Sequence, residues 1–79
     1  MKFPPLAFSS PEKIRAFRKK TGMRQELFWE RVGITQSGGS RYESGRNISQ
    51  AVQVLLTITY GTEAQARKMT EALRAWRAE

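Results

Sequence analysis

Between Gln25 and Arg46 the chain reads QELFWERVGITQSGGSRYESGR, and the Gly33-Ile34-Thr35 step in its middle constrains the fold more than any other feature. Gly33 stops one helical segment and Thr35 is a good N-cap for the next, so two short helices must meet across a tight turn. The second segment is almost bare of large apolar residues. A helix that buries so little, yet carries Gln36, Ser37, Ser40 and Arg41, presents its side chains to something outside the chain. Gly38 and Gly39 sit inside it and cost a helix roughly 1 kcal/mol each relative to alanine. Either a compensating contact holds them helical, or the doublet is a flexible loop.

Composition narrows what that outside object is. Seventy-nine residues make one domain, which buries only about 60% of the surface its unfolded chain exposes, so stability is marginal or shared with a partner subunit. The chain has no Cys, no His and no Asp. Disulfides and thiolate metal sites are therefore excluded, and the usual general base and commonest metal ligand are missing. An enzyme would have to work with Glu, Lys, Ser and Tyr alone, so we expect no enzyme, no cofactor and no metal. No apolar run approaches the length of a membrane span or a signal-peptide core, and a cytoplasmic protein is expected. The net charge is +7, and ten of the fourteen Lys/Arg lie in residues 1–50, against four of the seven Glu. A basic surface in the same half as the helix pair suits a polyanion; a generally solvated basic surface is the plainer alternative.

The rest of the chain punctuates into helices. Phe3-Pro4-Pro5-Leu6-Ala7-Phe8 is an extended arm (1–9), stiffened by proline, whose large apolar residues should pack back on the body. Ser10 caps a first helix with Pro11 in its first turn, Ile14 and Phe17 on one face, and Gly22 as its left-handed end. The second helix is expected from Arg24-Gln25 to Val32, burying Phe28 and Val32, with Leu27 and Trp29 widening that face. The third runs from Gln36 to about Ser44, stopped by Gly45. Ser49 caps a fourth, ended at Tyr60-Gly61, although the β-branched residues in Val52–Ile58 would also tolerate a strand. Thr62 and Gln65 form a capping box for a C-terminal helix over 62–78. Its apolar stripe of Ala66, Met69, Leu73 and Trp76 is either core or an interface. The expected class is all-α, with five helices in a single domain whose motif spans 25–45.

At this level of detail the chain resembles the lambda repressor-like helix-turn-helix family, also called XRE, which includes the Cro and phage repressors. The matching residues are Arg18, Gly22-Met23-Arg24-Gln25, Phe28, Val32-Gly33-Ile34-Thr35, Ser37 and Glu43-Ser44-Gly45. The resemblance implies that Gln25 touches a DNA phosphate, that Gln36 and Ser37 open the exposed face of the recognition helix, and that Arg41 reads a base one turn on. It also implies that Arg18 and Glu43 form a charged pair between the first helix and the end of the recognition helix. Two departures run in opposite directions. Trp29 stands where the family usually has alanine, and Gly39 where it usually has a branched apolar residue. Either alone would be damaging, but together they conserve volume, so the indole of Trp29 is expected across the backbone of Gly39.

The function implied is sequence-specific binding of double-stranded DNA in the major groove, by a bacterial or phage repressor at the nucleoid. Gln36 suits adenine and Arg41 guanine, while Ser37 and Ser40 specify less. The competing roles are solvated capping for Gln36 and an ion pair with Glu43 or Glu30 for Arg41. Arg24, Gln25, Arg46 and Asn47 flank the helix as phosphate contacts, and Arg15, Lys19 and Lys20 are either longer-range contacts of the same kind or simply a solvated basic surface. One domain reads few base pairs, so a homodimer on a palindromic operator is expected, with Met69, Leu73 and Trp76 as one route to the interface. Five helices use the whole length, leaving no effector domain in this reading. The alternative keeps the fold as a protein-binding adaptor or an antitoxin-type module. A basic amphipathic membrane surface is the weakest option, because charge and apolar stripe fall in different parts of the chain.

Overall fold

The computed structural model describes residues 3–78; positions 1, 2 and 79, including the tip of the N-terminal arm, lie outside the described residues. Within that range five α-helices follow in order: α1 Pro11–Thr21, α2 Gln25–Glu30, α3 Gln36–Glu43, α4 Gln50–Tyr60 and α5 Glu63–Arg74, with a 3₁₀ turn over Ala75–Ala78. Each start except that of α2 is set by a hydroxyl. Ser10, Thr35, Ser49 and Thr62 each accept a hydrogen bond from the backbone N–H three residues on. The capping box at α5 is complete, because Gln65 Oε1 also accepts from the Thr62 N–H at 2.9 Å. α4 is a helix, not a strand.

Three boundaries and one buried face differ from the sequence expectation. α2 stops at Glu30 and not Val32. Its last turn is consumed in a reversal, where Gly33 N–H bonds the Glu30 carbonyl at 2.9 Å and Ile34 N–H bonds that of Trp29 at 3.0 Å. Gly33 adopts φ 76°, the left-handed conformation this closure requires. Leu27 lies on the solvent side of the short helix and is 38% exposed, so the buried face is Phe28 and Trp29 alone. α3 ends one residue early, at Glu43. At the C-terminus the α-helix over 62–78 gives way to 3₁₀ geometry at Ala75.

The core is chiefly aromatic. Phe8 of the arm meets Phe17 of α1 edge-on at 5.2 Å, and Phe28 of α2 stacks on Tyr60 of α4 at 4.3 Å and 7°. The Tyr60 hydroxyl donates to the Phe28 carbonyl at 2.6 Å, which ties the end of α4 to α2. Ile14, Ile48 and Leu56 fill the space between. The α5 stripe divides: Met69 is fully buried, whereas Leu73 is 38% and Trp76 65% exposed, because the helix end runs past the body. Among the described residues no helix is long and apolar enough to cross a membrane.

Candidate nucleic-acid interface

α3 is helical straight through Gly38 and Gly39, and its neighbours explain how. A Cβ built on Gly39 would stand 2.2 Å from both Cδ1 and Cγ of Trp29, well inside van der Waals contact. The indole therefore lies flat against the α3 backbone, and Trp29 has no exposed surface. Burial of that contact offsets the helix cost of the glycine. Gly38 faces the turn, where a Cβ would come 3.2 Å from Ile34 Cγ2.

The back of α3 is held by polar groups as well. Glu43, 4% exposed, accepts from Trp29 Nε1 at 2.7 Å and from Arg18 Nη2 at 2.8 Å, with Arg18 Nε 3.0 and 3.1 Å from its two oxygens. Arg18 also donates to the Met23 carbonyl at 3.2 Å. Arg15 donates to the main-chain carbonyl of Glu43, where α3 leaves its last acceptors open. Burial alone would push the Glu43 carboxyl up. The hydrogen bonds from Arg18 and Trp29, the Arg18 charge and a hydrogen bond from Gln25 outweigh it, and its pKa lies below the ordinary glutamate value. Side chains from α1 and α2 thus converge on one carboxylate at the end of α3.

Sequence reasoning missed the Trp29–Glu43 bond and the Arg15 contact. A signal for each existed. A buried indole N–H needs an acceptor, and Glu43 lies four residues after Gly39 on the same helix face. Arg15 lies one turn before Arg18 and so points to the same end of α3. There it donates to the Glu43 carbonyl, so α1 reaches the end of α3 through two arginines, Arg15 and Arg18.

The front of α3 is free. Gln36, Ser37 and Arg41 are exposed, and Ser40 is half-buried at the α3 edge. Ser37 and Arg41, four residues apart, share the outward face. Among the described residues Arg41 forms no ion pair, since Glu43 is taken by Arg18. The four expected phosphate contacts stand at the start of α2 and just after α3. Arg24 is 81% exposed and pairs loosely with Glu26 at 3.5 Å, a contact of little worth at a surface. Gln25 is half-buried at the start of α2. Arg46 and Asn47 are exposed. A groove of about 410 Å³ between α2 and the start of α3 is lined by Glu26, Glu30, Gly33, Ile34, Thr35 and Gln36. Its two carboxylates disfavour a phosphate on that flank of Gln36.

Two helices joined by a glycine-centred reversal, the second clamped behind and polar in front, define a helix-turn-helix domain of the DNA-binding kind. Residues 15–59, more than half of the chain, match the family model of the RsaL-like HTH domain, and the chain belongs to that family, which is related to the lambda repressor-like regulators. No curated protein and no solved structure matches the chain.

Proposed function

We propose that this domain binds double-stranded DNA sequence-specifically and acts as a bacterial or phage transcriptional repressor in the cytoplasm, at the nucleoid. Gln36, Ser37, Ser40 and Arg41 enter the major groove, and Arg24, Gln25, Arg46 and Asn47 contact the phosphates on either side. The observation that carries this is the asymmetry of α3. Its back is anchored through Trp29, Arg18 and Glu43, while Arg41 on its front has no ion-pair partner among the described residues. A helix fixed in advance spends little of its binding energy on ordering itself. Arg41→Ala is expected to weaken binding to a selected site by roughly 1–3 kcal/mol while leaving random duplex nearly unaffected. Equal losses on both, in a fluorescence-anisotropy titration, would demote Arg41 to a phosphate contact.

The same reading has the protein acting as a homodimer on a palindromic site, with the uncovered end of α5 as the contact. Leu73, one turn after the buried Met69 on α5, and Trp76, in the 3₁₀ turn beyond it, support it: both are exposed apolar residues. Sedimentation is expected to show a dimer for the natural chain and a monomer for Trp76→Glu. A natural chain that stays monomeric as concentration rises rejects the homodimer. It would leave the exposed pair to a different protein, as in an adaptor or antitoxin-type module.

A further inference from the structure

We infer that Tyr42 is a positioning residue that holds Arg46 ready for a DNA phosphate, an inference that rests on the DNA-binding reading above. Arg46 is the first side chain after the glycine that ends the α3 region, and its main chain is fixed there. Its N–H bonds the Arg41 carbonyl at 3.0 Å, and the Gly45 N–H bonds the Tyr42 carbonyl at 3.3 Å, with Gly45 at φ 120°. The Arg46 side chain is also constrained. Its Cζ lies 5.5 Å from the centroid of the Tyr42 ring, within cation–π range. The ring cannot drift, because its stack on Trp29 has a centroid distance of 5.5 Å at 28°, and Trp29 is itself fully buried. Guanidinium, phenol and indole therefore form one ladder from the surface into the core.

Among the described residues no carboxylate lies within ion-pair distance of Arg46, so its charge is open to an incoming anion. A free arginine loses much rotamer freedom when it meets a phosphate. One already laid on a fixed ring loses less, and the tyrosine raises affinity without touching DNA. Nothing in this role uses the tyrosine hydroxyl, so the ring alone should suffice.

The test is binding to random-sequence duplex, followed by anisotropy over a series of salt concentrations. Arg46→Ala is expected to lower the slope of log affinity against log salt by about one. Tyr42→Leu is expected to lose roughly two- to five-fold in affinity, the worth of an exposed cation–π contact. It should lose nothing further in the Arg46→Ala background, and Tyr42→Phe should bind like the natural chain. Arg46→Lys keeps the charge but not the guanidinium held over the ring, so it should keep the slope and lose a similar factor. This variant serves if Tyr42→Leu does not fold. A Tyr42→Leu loss of the same size with and without Arg46 overturns the positioning role alone, as does an Arg46→Lys variant that binds as tightly as the natural chain. A natural chain that shows no salt-dependent binding to duplex overturns the DNA-binding reading, and this inference with it.

Discussion

Gly39→Val and Trp29→Ala are each expected to be strongly destabilising, while the two changes together should recover part of the summed loss. Truncating a fully buried tryptophan leaves a large cavity and costs about 3–5 kcal/mol. A domain of this size has only some 5–10 kcal/mol in total. The opposite change drives a branched side chain into the indole, where even a Cβ would sit 2.2 Å from Cδ1 and Cγ. Trp29 has no exposed surface to retreat into, so the strain should reach or exceed the usual 1–3 kcal/mol of overpacking. In the double variant the branched chain fills the space left by the indole, restoring the arrangement usual in the lambda repressor-like family. Urea unfolding of all four proteins gives the coupling, expected to favour the pair by about 2–3 kcal/mol. Some loss should persist, because Glu43 no longer receives the indole N–H. Additive losses would mean that the Trp29–Gly39 contact is incidental.

Glu43→Ala should be nearly as damaging, at about 3–5 kcal/mol, because it strands a largely buried guanidinium and leaves an indole N–H without an acceptor. Glu43→Gln keeps one acceptor and loses the charge, so it should cost less and change the pH dependence. The folded-state pKa of Glu43 is lowered, so its contribution is fully present above the ordinary glutamate value of the unfolded chain. It is lost as pH falls through the lower folded value. Thermal unfolding between about pH 3 and 7 should therefore show a shallower acid limb for Glu43→Gln than for the natural chain. Parallel acid limbs would show that the carboxylate charge does not hold α3 in place.

How much of this molecule is legible in its sequence depends on the kind of interaction. Helix starts are local chemistry, and Ser10, Thr35, Ser49 and Thr62 announce themselves by hydroxyl and position. The packing of an indole on a glycine is legible in volumes, since Trp29 adds what Gly39 removes. Direction is harder to read. Leu27 belongs to the apolar pattern of α2, yet six residues of helix leave it facing water. The pattern overstates the length of α2 because Val32 continues it, although the Val32 N–H already turns to the Trp29 carbonyl at 3.1 Å, where the reversal begins. The clamp on Glu43 gathers residues from separate helices, and spacing within any one of them does not reveal where they meet. The split of the α5 stripe likewise depends on where the body ends under Leu73 and Trp76.

An indole and a carboxylate position α3 from behind, and the function proposed above has its front read bases. Selection of bound sequences from random duplex DNA, carried out at two salt concentrations, asks whether that front does so. Enrichment of one two-fold symmetric motif is expected at both concentrations, with the higher salt sharpening it by stripping away phosphate-driven binding. Recovery of unenriched sequence at low salt that vanishes at high salt would contradict a base-reading helix.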